Sequence, residues 1–286
     1  MLTFAGNPLD RAAEKRNDQA WLAAQLDDAR TRVLALQSGK PLVREGGLAF
    51  LAADAARNDL PIFLGIDDAG ASVFAIESDV APSGAAFEEL RAVALTLPAA
   101  EAAIVAVAKS LFEWHARHGF CSVCGHRSDV ASAGWKRVCG RCNAEHFPRV
   151  DPVVIMLPIR GESCLLARQA QWPAKRMAPL AGFVEPGESI EEACAREVKE
   201  ESQLIATRVT YHASQPWPFP SSLMFGLFVE VEGEAVADGV ELEEVRWLTR
   251  DEARTVLAGT HPDVLAPNRY AIAHELLTVW VKGGGA

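Results

Sequence analysis

Between Gly182 and Leu204 the chain reads GFVEPGESIEEACAREVKEESQL. Glu188, Glu197, Glu200 and Glu201 are grouped about a single Arg196, directly after a Gly-Phe-Val-Glu-Pro-Gly loop. Side chains four apart on a helix project to one side, so Glu197 and Glu201 point the same way, with Glu200 at the edge of that face. Like charges so placed repel by roughly 0.2–0.5 kcal/mol per pair. A divalent cation held between them would offset this, and hard oxygen ligands suit Mg²⁺ or Mn²⁺. A solvated acidic helix face is the plain alternative, and charge patterning alone does not separate the two.

A second constellation is sulfur. CSVC at Cys121–Cys124 and CGRC at Cys139–Cys142 are separated by fourteen residues. Two CxxC knuckles at that separation match a zinc ribbon whose four thiolates close a tetrahedral site. Gly125 and Gly140 suit the tight turns of such knuckles. Four sulfurs fill the coordination sphere, so this zinc, one per chain, is structural. The competing reading is four unrelated thiols or a redox pair. His126 and His146 lie nearby without being needed. Cys164 and Cys194 read as buried thiols.

The third is a stiff aromatic segment, Gln215-Pro216-Trp217-Pro218-Phe219-Pro220-Ser221-Ser222. Three alternating prolines hold the backbone extended. Trp217 and Phe219 then form either a ledge for a flat base or a corner of the core.

These groups need elements to position them. The spacing predicts strands at Gly47–Ala53, Leu60–Ile66 and Ala71–Ile76, and an Ala-rich helix from Ala99 to about His118. It then predicts strands at Val153–Ile159 and Cys164–Ala167 about a Gly161 turn, and the acidic helix at about Ser189–Leu204. Strands at Leu223–Val231 and Val245–Leu248, a helix starting near Thr249 and another over Pro267–Val281 complete the pattern. Three parts follow: 1–115, an α+β domain that could be a degenerate copy of the last and serves as scaffold or dimerisation module; 116–148, the ribbon; and 149–286, an α/β domain.

The 286 residues carry 49% hydrophobic and 23% charged side chains, which is ordinary for a globular protein, and a net charge of −10. That balance argues against a broad non-specific nucleic-acid surface and leaves room for a local basic pocket. The first residues lack the apolar core of a signal peptide. The longest uncharged run, Ala213–Val229, contains Pro216, Pro218 and Pro220, which a spanning helix does not accommodate easily. A cytoplasmic protein without a membrane partner is expected.

Gly, five residues, Glu, seven residues, then Arg-Glu-apolar-any-Glu-Glu resembles the Nudix box, with one departure: Gln203 stands where the pattern has a glycine. That glycine would end the helix in a left-handed turn. With the ribbon before it and SQPWPFP after it, the chain resembles the NADH pyrophosphatase subfamily of Nudix hydrolases, from about Phe120 to the C-terminus. The resemblance implies an α/β/α sandwich with a mixed sheet. It also implies cleavage of the pyrophosphate of NAD(H) to nicotinamide mononucleotide and AMP, together with removal of NAD caps from RNA.

Carried over, Glu197, Glu200 and Glu201 are the catalytic set. Glu197 and Glu201 hold the divalent metals, with the Ala181 carbonyl and Glu241 as further ligands; Glu243 and Glu244 compete with Glu241. Which carboxylate deprotonates water stays open. Glu188 and Arg196 read as a pair fixing loop to helix. Gln215–Ser222 is implied to recognise substrate, with Phe147 and Phe183 sandwiching a base, and Met224 and Ala273 lining the pocket or packing in the core. Lys136, Arg137, Arg141 and Arg149 are candidates for an RNA track or a solvated edge. A homodimer is implied too. The alternatives are a Nudix hydrolase for another nucleoside diphosphate derivative, such as ADP-ribose, and an inactive zinc-ribbon binding protein.

Overall fold

Val154 and Met156 face one way from their strand, Ile155, Leu157 and Ile159 the other, and both sets are buried. Alternation with both faces covered is the signature of a sheet between two helical layers. The computed structural model describes residues 2–57 and 60–284. These divide into one unit of residues 3–150 with Trp217–Ser221, and a second of Asp151–Pro216 and 222–284 with Leu2.

In the first unit, helix α1 (Gln19–Asp27) starts at Asp18, whose carboxylate accepts from the Trp21 amide. Then come β1 (Arg32–Gln37), β2 (Lys40–Arg44), β3 (Gly47–Leu48), β4 (Phe50–Ala52), a 3-10 turn at Ala53–Ala56, β5 (Ile62–Ile66), β6 (Ser72–Glu77) and β7 (Ala86–Phe87). Helices α2 (Leu90–Val93) and α3 (Ala99–Arg117) follow. The strand order is β3-β2-β1-β6-β5, with β4 added on β1 and β7 on β2; β1 and β6 run parallel. The expected strand at Gly47–Ala53 is split into β3, β4 and the 3-10 turn. β1 and β2 were not anticipated, because their unbroken apolar runs lack the alternation that marks a half-buried strand. The ribbon is a small sheet of β8 (Ser128–Ala131), β9 (Lys136–Cys139) and β10 (Glu145–His146), in the order β10-β9-β8.

The second unit runs β11 (Asp151–Arg160), β12 (Ser163–Gln169), β13 (Leu180–Phe183), α4 (Ile190–Ser202), β14 (Ile205–Trp217), β15 (Ser222–Glu232), β16 (Leu242–Thr249), α5 (Arg250–Leu257) and α6 (Ile272–Val281). Its sheet is ordered β14-β15-β11-β12-β16, with β13 on β11; β11 and β15 are parallel and the other pairs described are antiparallel. Ala193, Cys194 and Val198 of α4 pack on the Val154 and Met156 face. Ala253, Val256, Leu276, Leu277 and Trp280 of α5 and α6 pack on the Ile155 and Leu157 face. This is a mixed-sheet α/β/α sandwich. Cys164 and Cys194 lie in the two cores, and burial raises both thiols to about 12.

Helix α4 starts from a reciprocal capping box between Ser189 and Glu192. It ends where the pattern said a glycine should be: Gln203 itself takes the left-handed conformation, φ 61° and ψ 4°. The exit geometry is therefore kept without the glycine. The last helix begins at Ile272, later than the expected Pro267. Among the described residues no helix is long and apolar enough to cross a membrane.

Candidate functional site

Within the second unit, the loop from β13 to α4 is tied to the helix by Arg196. Its guanidinium grips Glu188 through two bonds, Nε to Oε1 at 2.7 Å and Nη2 to Oε2 at 2.9 Å, and Nη2 also donates to the Phe183 carbonyl at 2.9 Å. The fork geometry suits a carboxylate. It holds the Glu188 carboxyl down at about 2, chiefly through the Arg196 hydrogen bond. Nη1 of the same group reaches Glu197 at 2.7 Å and Glu200 at 3.1 Å. One cation thus orders three carboxylates and a backbone carbonyl.

Glu201 differs from these three. It is 4% exposed, and its Oε2 is buried with no hydrogen-bond partner among the described residues. Burial raises its carboxyl to about 8, with the charges of Glu197 and Glu241 adding to the effect. Glu197 is also raised, first by burial and against the pull of Arg196. An orphaned, buried oxygen among repelling acids is a costly arrangement unless a cation completes it. The donor set, all hard oxygen, fits Mg²⁺ or Mn²⁺.

Gly182 makes room for this. A Cβ placed on it would stand 1.9 Å from the Glu197 carboxyl carbon. The glycine of the motif lets the Glu197 carboxylate lie against the backbone; a larger residue would push that side chain aside.

Three acids competed for the fourth ligand position. Glu243 is paired with Arg168 and Glu244 with Arg246. Glu241 has no cationic partner in the described ion pairs; its side chain accepts from Gln169 at 3.2 Å, and its charge acts on both Glu197 and Glu201. Sequence reading missed the residue that sets this loop. Asp238 accepts backbone N–H bonds from Val240, Glu241 and Leu242 at 3.3, 3.2 and 2.8 Å. The Asp238-Gly239 dipeptide was the available turn signal.

The proposed recognition residues are dispersed in character. Phe183 is 59% exposed in the second unit, and Phe147 64% exposed in the first. Gln215 is fully buried: its amide donates to the Tyr270 carbonyl and its oxygen accepts from the Ile272 amide, both at 2.7 Å. It pins the start of α6. Ala273 is 5% exposed inside the core and Met224 packs against that core, so both sit in packing positions. Pro216 and Ser222 belong to the second unit, while Trp217, Pro218, Phe219, Pro220 and Ser221 belong to the first. There Trp217 and Phe219 form an edge-to-face cluster with Phe4, and Arg91 lies 3.9 Å over the Phe219 ring. Ser221 donates to the Arg149 carbonyl at 3.0 Å.

The four ribbon cysteines come together in the first unit. All four sulfurs lie within 4.8 Å of one another, with Cys121 to Cys142 at 3.6 Å and Cys124 to Cys139 at 3.5 Å. Zinc–sulfur bonds of about 2.3 Å at tetrahedral corners need sulfurs about 3.8 Å apart, so the cage fits zinc. Backbone N–H groups of Cys142 and Arg141 lower the Cys139 thiol, whereas hydrogen bonds within the cluster raise that of Cys142. Of the basic residues on the ribbon, Lys136 is paired with Glu145 and Arg137 is bonded to Ser128. Arg141 lies against His126.

Three domain families match this chain in order. Residues 30–114 match an NADH pyrophosphatase-like rudimentary NUDIX domain, 116–147 an NADH pyrophosphatase zinc ribbon domain, and 148–268 a NUDIX domain. Among relatives, the Mycobacterium bovis NAD-capped RNA hydrolase NudC is 36% identical over 293 residues, covering 95% of this chain and 92% of that one. The Mycobacterium tuberculosis NudC gives the same figures. The human NAD-capped RNA hydrolase NUDT12 is 44% identical over 200 residues, covering 66% of this chain. That match spans 43% of the human protein, less than half its length.

Proposed function

Because the chain belongs to the NADH pyrophosphatase family of Nudix hydrolases, we propose that it hydrolyses the pyrophosphate of NAD(H) to nicotinamide mononucleotide and AMP, and cleaves the same bond in NAD-capped RNA to release nicotinamide mononucleotide and leave a 5′-monophosphate. The observation that carries this reading is Glu201, a buried carboxylate with an unpartnered oxygen next to Glu197 and within the field of Glu241. Glu197, Glu201, Glu241 and the Ala181 carbonyl would hold the divalent cation, Mg²⁺ or Mn²⁺. When bound, such a cation neutralises charge on phosphoryl oxygens and lowers the pKa of a coordinated water.

The protein's own side chains do the rest. Arg196 keeps Glu197 and Glu200 in place and locks the loop through Glu188. Glu200, with 61% of its side chain exposed, is the carboxylate best placed to take a proton from water, since Glu201 is buried and the Glu197 side chain is only 13% exposed. Exposed Phe183 and Phe147 offer faces on which a nicotinamide or adenine can stack. Gln215 acts indirectly by holding the start of α6, and Pro216–Ser222 shapes the recognition segment. The division at 1–115, 116–148 and 149–286 assigns chemistry to the last part and scaffold to the first two, with a structural zinc in the ribbon. A homodimer in a reducing, cytoplasmic setting completes the proposal.

The test is a panel. NADH, NAD⁺, ADP-ribose and an NAD-capped oligoribonucleotide are incubated with the protein and Mg²⁺ or Mn²⁺, and AMP, nicotinamide mononucleotide and 5′-monophosphate RNA are quantified. NADH turnover well above ADP-ribose turnover is expected. A preference for ADP-ribose would replace this reading with the other Nudix substrate class, and no turnover of anything would favour a binding protein.

A further inference from the structure

Several surface arginines of the chain sit beside an acid: Arg30 by Asp28, Arg57 by Asp27, Arg254 by Asp251. Arg11 and Arg16 do not. Both lie over the ring of Trp135, with guanidinium carbons 5.5 and 3.9 Å from its centroid. Arg11 Nη1 and Arg16 Nε are buried and meet no hydrogen-bond acceptor among the described residues, and neither residue has an ion pair there. The nearest acids are spent or distant. Asp10 caps the Ala12 amide at 3.0 Å, and Glu14 attracts Arg16 without bonding to it.

The arrangement is held from both sides. Backbone bonds from Lys15 to Ala12 and from Arg16 to Ala13 close the 3-10 turn Ala13–Lys15, which lies between the two arginines. The Trp135 indole is fixed by its own N–H, which donates to the Phe63 carbonyl at 2.7 Å. Burial lowers the pKa of both guanidiniums, and Arg11 further opposes the charge on Arg16. Two like charges stacked on one ring, with unmet donors at their edges, are relieved when an anion joins them. Planar guanidinium forks match phosphoryl oxygens in geometry.

We propose that Arg11, Arg16 and Trp135 form a phosphoryl-binding site in the first unit, separate from the acidic helix and independent of the hydrolytic reading. Residues 11 and 16 precede the first matched domain, which begins at residue 30. The phosphoryl group belongs either to a small phosphate ester or to the backbone of a single-stranded RNA.

The test uses the full zinc-loaded chain without added Mg²⁺ or Mn²⁺. Inorganic phosphate should raise Tm relative to chloride at equal ionic strength in the wild type, and not in Arg11→Gln/Arg16→Gln. An equal response to chloride, or an undiminished phosphate response in the double variant, overturns the site. If the double variant does not fold, wild-type crystals soaked in tungstate decide: the anion should lie within hydrogen-bond distance of both guanidiniums, and tungstate found only elsewhere refutes the proposal. A second arm separates the sources. If the ligand is RNA, turnover of an NAD-capped oligoribonucleotide falls about tenfold in the double variant, the worth of one charge-assisted bond, and the salt slope of RNA binding shrinks by about 1.4. If it is a small ester, AMP competes with phosphate and capped-RNA turnover is unchanged. NADH turnover is unchanged in both cases.

Discussion

The molecule follows one strand path twice. The first sheet runs β7-β2-β1-β6-β5 with β4 on β1 and one further strand, β3, on β2; the second runs β16-β12-β11-β15-β14 with β13 on β11. In each, the middle strand has a parallel partner, β6 for β1 and β15 for β11. They part between the short added strand and the far edge strand. Residues 184–204 of the second hold α4 and its glutamates, whereas residues 53–61 of the first carry the 3-10 turn Ala53–Ala56 and no glutamate. A common frame supports chemistry only where the insert supplies it, so function belongs to the site and not the topology.

Four substitutions or conditions would break or sharpen that contrast. The largest effect is expected from Glu197→Gln, which should lower kcat on NADH by about 10³, or about 4 kcal/mol, with the fold intact by circular dichroism. Activity near wild type would detach the chemistry from α4. Gly182→Ala should cost about 10² in kcat, because the added methyl displaces the Glu197 carboxylate; a fully active variant would mean that this carboxylate moves freely.

The third concerns pH. Glu201 is raised from 4.5 to about 8 in the folded chain. Its contribution to stability is therefore present below pH 4.5 and lost as pH rises through about 8. Mg²⁺ relieves that loss, so its stabilising shift in Tm should be larger at pH 8.5 than at pH 6, and the metal-free Glu201→Gln protein should show a flatter profile over the same range. An Mg²⁺ shift independent of pH would remove Glu201 from the ligand set.

The smallest effect lies at the end of α4. Gln203→Gly should raise stability by about 0.5–1 kcal/mol in denaturant unfolding, since a left-handed φ strains any side chain. A loss would show that the glutamine side chain contributes something its backbone does not.

Much of the second unit was legible because its signals are local. Ser189 and Thr249 with their partnering glutamates mark helix starts three residues apart in sequence, and the cysteine knuckles carry their own spacing. The strands of the first sheet were harder. Val33–Leu36 is buried on both faces, and continuous apolar runs lose the period that distinguishes strand from core helix. β14 was hidden for another reason: its polar and aromatic residues lie on a partly exposed edge, and three prolines drew attention to its end as a loop. Gln215 shows the limit of reading residues by motif. A glutamine in a recognition segment looks exposed, yet its two bonds to the start of α6 join residues 55 and 57 positions apart. Nothing local announces such a contact. Nor does sequence show that Glu243 is paired with Arg168 of β12 and Glu244 with Arg246 of its own strand, which is what favours Glu241 in the proposed ligand set.

The most direct test is release of AMP and nicotinamide mononucleotide from NADH by the purified chain with Mg²⁺, measured beside Glu201→Gln with zinc content matched. Metal-dependent release by the wild type, reduced about 10²-fold in the variant, is the predicted result. Equal release by both proteins would contradict the assignment of the chemistry to the acidic helix.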